Sequence, residues 1–223
     1  MMKGSRSWST DGPAAGLIRV VRGPDRAQGS RGTTAFIVPK GTAGFKPQAP
    51  DHKLGIHAAH SCTIFFEDCR IPDAYRVGDE GGGFKIAMNT LDGGRIGIAS
   101  QAIGIAQAAF EKAVVYAQER KAFGKPIAKL QAIQFKLADM AMDIDAARLL
   151  VLRAAELKNW ARKDPKVRHT QESAMAKLFA SEMATRVTHQ ALQVFGGYGY
   201  SKEYDMERHY RDARITAIYE GTS

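Results

Sequence analysis

Hydrophobic positions follow two rhythms along the chain. Up to about residue 80 they come in short runs rich in Ile, Val, Phe and Thr: GLIRVVR (Gly16–Arg22), TTAFIVP (Thr33–Pro39) and SCTIFFEDCRIP (Ser61–Pro72). Gly, Pro and Asp separate these runs, a pattern that predicts strands. GDEGGGF (Gly78–Phe84) then acts as punctuation. Beyond it the spacing becomes three- and four-residue, as in a helix with one buried face. One stripe runs Ala99, Ala102, Ile103, Ala106, Phe110, Ala113, Val114. A second runs Leu130, Ile133, Leu137, Met140, Ile144, Ala147, Val151, and a third Met175, Phe179, Met183, Val187, Ala191, Val194. FGKP (Phe123–Pro126) and KDPKV (Lys163–Val167) break the stripes, and FGGYGY (Phe195–Tyr200) ends the third. A shorter helix is expected from about Tyr204 to Ile218. The prediction is an α+β chain: a β-domain over residues 1–80, then an antiparallel helical bundle over 81–223, because long helices joined by short links fold back on one another.

Length and composition narrow the class. At 223 residues and 44% hydrophobic, the chain can bury one large core or two small ones. No apolar run approaches the roughly 20 residues of a membrane-spanning helix. The opening MMKGSRSWSTDGPAAG lacks the apolar centre of a secretory signal and the amphipathic pattern of a transit peptide. The net charge of +9 suits anionic partners such as phosphate-bearing cofactors. The basic residues are scattered, with neither zinc-finger spacing nor an aromatic RNA-binding signature, so nucleic acid is not expected. Cys62 and Cys69 fit no CxxC or zinc pattern and read as structural thiols of a reducing compartment. If both lie on one strand, their odd separation puts them on opposite faces.

Most single motifs have an ordinary explanation. GGYGY (Gly196–Tyr200) follows a predicted helix rather than a strand, so it is no dinucleotide fingerprint, and the acids of DEGGGF would repel phosphate. Both read as helix-terminal or connecting loops. HAAH (His57–His60) lacks the carboxylate of HExxH, and no metal is assigned. No GxSxG or Cys-His signature supports a nucleophile. RKAFG (Arg120–Gly124) is either dipole compensation with a Gly stop or an Arg that meets a phosphate. Glu220, in the closing IYEGTS, is equally ambiguous alone.

Taken together, the motifs resemble the acyl-CoA dehydrogenase family, most closely its short-chain branch. The resemblance rests on WST (Trp8–Thr10), KLGI (Lys53–Ile56), FEDCRIP (Phe66–Pro72) and LDGGRIGIASQAIGIAQAAF (Leu91–Phe110). It continues through ERKAFGKPIAKLQAIQFKLADMAM (Glu119–Met142), HQALQVFGGYGY (His189–Tyr200) and ERHYRDARITAIYEGTS (Glu207–Ser223). Their joint order is the specific signal. The resemblance implies a flavoprotein that forms the α,β double bond of an acyl-CoA thioester, with FAD as cofactor and electron-transfer flavoprotein as acceptor. It implies a short acyl substrate from fatty acid or branched-chain amino acid degradation, and a homotetramer. It leaves open an acyl-CoA oxidase, a decarboxylating dicarboxylyl-CoA dehydrogenase, or an inactive oligomerising fragment. The implied compartment is the mitochondrial matrix in a eukaryote and the cytoplasm in a bacterium. The implied fold is a partial middle β-domain, sandwich- or barrel-like, before the bundle. On this template the N-terminal helical domain and the helix after YEGTS fall outside the chain, and MMKG stands in place of a strand.

The resemblance also implies roles. Trp8 and Thr10 would lie against the flavin ring. Arg120 would meet the pyrophosphate with Phe123 and Gln131 nearby, on a neighbouring subunit's FAD. Gln193 to Gly197, including Gly196, would line the adenosine-side groove, and Thr222 would hydrogen-bond the cofactor. Asp92 and Arg95 would contact the acyl-CoA, and Gly221 would leave room for the thioester. Glu220 would be the base. The family has a second home for that base, just before the Arg of its LDxxR stretch, and here this position is Gly94.

Overall fold

The computed structural model describes residues 1–23 and 26–223, which divide into two compact units, Met1–Thr90 and Leu91–Ser223. The first holds two three-stranded antiparallel sheets. In one, β5 (Ser61–Cys69) lies between β1 (Met2–Thr10) and β4 (Phe45–Pro47). In the other, β3 (Thr34–Pro39) lies between β2 (Leu17–Arg22) and β6 (Arg76–Val77). Inward side chains of both sheets, Met2, Cys62, Ile64 and Phe66 from one and Val20 and Val38 from the other, share one core. The three strands expected from β-branched runs are present.

Two expectations for this unit fail. MMKG is not a replacement for a strand, because Met2–Thr10 is itself strand β1. Only Met2 of β1 is buried, so the segment has no apolar alternation, and its pairing with β5 overrides its weak propensity. The cysteines both lie on β5, yet both are fully buried in the same core. The cause is a β-bulge. Met2 pairs with Cys69 and Gly4 with Phe66, so β5 spends an extra residue there, and Asp68 takes φ 50°. One inserted residue resets the two-residue alternation. Both thiols are free, and burial pushes their pKa values up.

α1 (Gly83–Glu119) begins in the first unit and runs through the second. At 1.5 Å per residue it is about 55 Å long. It ends at a two-residue hairpin, β7 (Lys121–Ala122) and β8 (Lys125–Pro126), whose turn residues Phe123 and Gly124 take φ 51° and 75°. FGKP is therefore a hairpin turn rather than a plain break. α2 (Gln131–Ala161) and α3 (Thr170–Phe195) follow. Lys136 near the start of α2 bonds Gln190 near the end of α3, and Arg148 of α2 bonds Gln107 of α1. α2 is thus antiparallel to α3, and Lys158 at its far end lies beside Gly93 near the start of α1.

Small residues dominate the buried faces: Ala99, Ala102, Ala106, Ala109, Ala113 and Ala117 on α1, and Ala176, Ala180, Ala184 and Ala191 on α3. They let the helices approach closely, with Met140, Ile144 and Met183 filling the gaps. Met175, expected in the third stripe, is exposed; the inward row of α3 instead passes through Ser173, Ala176 and Lys177. GGYGY is not a loop throughout. Gly196 ends α3 with φ 60°, and Gly197–Tyr200 forms a single turn, α4. The final helix is shorter than expected: α5 spans Met206–Ala213 and tightens into a 3-10 turn at Arg214–Ala217.

Candidate active site

The 3-10 turn delivers the chain to Glu220. Its backbone is left-handed, at φ 54°, and Gly221 follows at φ 100°. A non-glycine residue pays roughly 1–2 kcal/mol for that conformation, so the segment has to be held. Ser223 N–H donates to the Ala217 carbonyl at 3.0 Å, and Tyr219 Oη donates to Gln101 Oε1 on α1. Arg95 Nε donates to the Glu220 carbonyl at a long 3.4 Å. Lys177 Nζ donates to the Gly221 carbonyl. A charge-assisted bond contributes about 1.5–3 kcal/mol, comparable to the strain it offsets.

Glu220 Oε2 is buried with no hydrogen bond among the described residues. It faces Gly94 of α1, where an added Cβ would sit 2.4 Å from Oε2 and 3.0 Å from Cδ. Residues 94 and 220 therefore converge, although 126 positions separate them. Only a glycine leaves that carboxylate oxygen its room.

Asp92 and Arg95 stand beside this point. Asp92 does not turn towards Glu220: Oδ1 accepts from Arg95 Nη1 at 3.2 Å and Oδ2 from Thr170 Oγ1 at 2.6 Å. Arg95 thus bridges Asp92 to the Glu220 backbone, with its guanidinium near Gly221. Thr222 is exposed next to this cluster. Burial pushes the Tyr219 pKa up, its bond to Gln101 pulls the other way, and the Glu220 charge adds to the rise.

A second cluster forms where α1 ends. Arg120, Tyr116, Phe195, Gly196, Gly197 and Tyr198 border a cleft of about 550 Å³. The Arg120 guanidinium lies 5.4 Å from the Tyr198 ring centroid and joins none of the salt bridges among the described residues. A Cβ added at Gly196 or Gly197 would meet nothing within 4 Å, so the floor is open. Gln193 is exposed in the last turn of α3, and its carbonyl accepts from Gly196 N–H at 3.1 Å. Phe123 is 90% exposed at the hairpin tip, and Gln131 is exposed at the start of α2. Trp8 and Thr10 belong to the β unit. Trp8 is 73% exposed with φ 58°, at a second irregularity of the β1–β5 pairing, and Thr10 borders a cavity of about 610 Å³.

Lys177, Gln101 and Thr170 escape a reading of motifs. The signal for Lys177 is its phase, a lysine one turn after the buried Ser173 on an inward face of alanines.

A family model for the C-terminal domain of acyl-CoA dehydrogenases matches residues 81–223, and one for the middle domain matches residues 1–69. The chain belongs to the acyl-CoA dehydrogenase family. It is 55% identical over all 223 residues to the mitochondrial short-chain specific acyl-CoA dehydrogenase of Bos taurus, of which it covers 53%. It superposes on butyryl-CoA dehydrogenase from Megasphaera elsdenii with a TM-score of 0.93 and 50% identity, covering 99% of this chain and 56% of that one. A chain in the structure of the electron transferring flavoprotein of Acidaminococcus fermentans gives a TM-score of 0.94 at 49% identity, with coverage of 99% and 57%. The chain thus spans about half the length of the relatives it matches. The fold of a middle β-domain and a C-terminal helical domain is shared with these structures.

Proposed function

We propose that this chain carries the base and part of the cofactor site of an FAD-dependent dehydrogenase that converts a short acyl-CoA to its trans-2-enoyl thioester. The observation that carries this reading is Glu220: a strained residue presenting a buried, unpartnered carboxylate oxygen to a glycine. Buried polar atoms are normally satisfied, so an orphan on a strained backbone marks a group held ready for a ligand.

The α-proton of a thioester is weakly acidic, and removing it needs a carboxylate aimed at the carbon. Glu220 takes that proton on Oε2. The negative charge that develops on the thioester oxygen needs a donor. The Glu220 N–H donates to no acceptor among the described residues, so it is available for this role. Gly221 takes a φ of 100° that favours glycine, and Asp92 holds the Arg95 guanidinium beside it, 3.7 Å from where a Cβ would sit.

The Arg120 cleft fits part of a dinucleotide. A guanidinium that stacks on Tyr198 and joins none of the salt bridges among the described residues suits a phosphate, and the bare Gly196–Gly197 floor admits a ligand close to the backbone. Phe123, Gln131, Gln193 and Thr222 are exposed polar or aromatic groups of the same helical unit and would contact the cofactor. FAD, when bound, accepts the hydride that leaves the β-carbon as the double bond forms. Self-association has its own support: Phe135, Met142 and Leu149 form an exposed apolar row at seven-residue spacing on α2. A homotetramer with electron-transfer flavoprotein as acceptor is the assembly this reading favours.

The test is Glu220→Gln in the FAD-loaded enzyme, followed by rapid-mixing absorbance of the flavin band. FAD and acyl-CoA binding should persist while flavin reduction falls by several orders of magnitude, since an amide does not act as a base at neutral pH. Adding Gly94→Glu to that variant should return part of the reduction, because positions 94 and 220 meet at one point. Near-normal reduction in Glu220→Gln removes the assignment.

A further inference from the structure

Lys177 is the one charged side chain on the inward row of α3. It is 4% exposed, on a helix face whose other buried residues include Ala176, Ala180 and Ala184. A buried ammonium is disfavoured unless something compensates it. Burial lowers its pKa, the nearby Arg95 cation lowers it further, and Glu182 and Glu220 pull it back up. Its ammonium donates to the Gly221 carbonyl.

That carbonyl belongs to the residue directly after the base. Glu220 and Gly221 both have positive φ, so a small backbone rotation there swings the carboxylate. Other groups restrain the same turn. Tyr219 is tied to Gln101, Ser223 N–H to Ala217, Ser181 Oγ meets Ser223 Oγ at 3.4 Å, and the Arg95 bond to the Glu220 carbonyl is long. Two full charges reach the turn: Arg95 of α1 through its long bond to the Glu220 carbonyl, and Lys177 of α3 through its bond to the Gly221 carbonyl, from a side chain that is itself buried.

We propose that Lys177 is the positioning residue of the Glu220 turn: anchored in α3, its ammonium holds the Gly221 carbonyl and thereby fixes the backbone that aims the carboxylate. This rests on Glu220 being the base, and it adds the side chain that makes a flexible glycine turn a fixed one. A lysine kept buried at a desolvation cost is explained by what it holds there. By the same argument an apolar side chain should be tolerated by the fold.

The experiment compares Lys177→Met and Lys177→Gln with the unaltered FAD-loaded enzyme. Hydrogen exchange of Ile218–Ser223 reports the turn without reference to activity. Rapid mixing with a short acyl-CoA reports the reduction rate, and titration with a non-reactive acyl-CoA thioether reports affinity. In Lys177→Met, melting temperature and FAD content should hold while exchange in the turn rises about tenfold or more. The saturating reduction rate should fall about 10- to 100-fold, as expected for a base displaced by about 1 Å, with thioether affinity changed less than twofold. Gln keeps a donor, but it is one bond shorter and uncharged, so it should fall between the two. Wild-type exchange across the turn in whichever variant folds overturns the proposal. So does a parallel loss of melting temperature, FAD and affinity, which would make Lys177 a general stability residue. Glu220→Gln serves as the control: it should keep the turn protected while losing reduction. If it instead reduces flavin normally, the base assignment fails while the exchange data still decide the role of Lys177.

Discussion

Gly94→Ala tests the geometry of the site with the smallest possible change. The added methyl carbon would lie 2.4 Å from Glu220 Oε2, 3.0 Å from Cδ and 3.4 Å from Oε1. Ordinary van der Waals contact begins near 3.4 Å, so Oε2 must retreat by about 1 Å. It can do so because the clash is with the far end of a flexible side chain, not with backbone. The fold is therefore spared. Replacing a mid-helix glycine by alanine should even stabilise α1 by roughly 0.5–1 kcal/mol. A displacement of about 1 Å at a reacting group is worth on the order of a hundredfold in rate. The expected outcome is a pair of opposite signs: an unchanged or slightly higher melting temperature, and a reduction rate at saturating acyl-CoA lowered by about two orders of magnitude. Calorimetry gives the first and rapid-mixing absorbance of the flavin band the second. A rate within threefold of the parent would refute the reasoning, because it would mean that Oε2 does not work from the place it occupies beside Gly94. A large loss of stability would refute it differently, by showing that the neighbouring backbone and not the carboxylate absorbs the methyl group.

Arg120→Ala should weaken FAD retention about 10- to 100-fold, the equivalent of one charge-assisted bond to phosphate at about 1.5–3 kcal/mol; equilibrium dialysis of the flavin checks it, and unchanged affinity rules out the pyrophosphate role. His209 on α5 is buried, and its Nε2 makes no hydrogen bond among the described residues but lies 3.9 Å from Asp205 Oδ2; burial lowers its pKa, with Asp205 pulling it back up and Arg208 and Lys112 lowering it further. The unfolded chain therefore takes up a proton at a higher pH than the native one does, so stability is fully present above the ordinary His range near 6.5 and is lost as pH falls through the depressed native value. His209→Gln should flatten the fall in melting temperature between about pH 7 and 5; an identical pH profile would exclude His209 from that loss.

Local physics settled much of this protein in advance. The three-and-four spacing of apolar residues after residue 98 and the β-branched runs before residue 70 need only side-chain periodicity and backbone sterics, so the three long helices and three of the strands were legible in order. The order of motifs also singled out Glu220, Arg95 and Arg120 as candidates. Pairing decided the rest. β1 is a strand because β5 binds it, and one extra residue at Asp68 returned both cysteines to a single core. Phe123 reverses the chain in a hairpin because its neighbours on either side bond to each other. The geometry around Glu220 is the clearest case. That Gly94 makes room for a carboxylate 126 residues away, and that an inward lysine on α3 grips the carbonyl beside it, depends on which helix faces meet. Helical periodicity says which face of a helix is buried, but not against what, and a contact between distant residues exists only once the chain has folded.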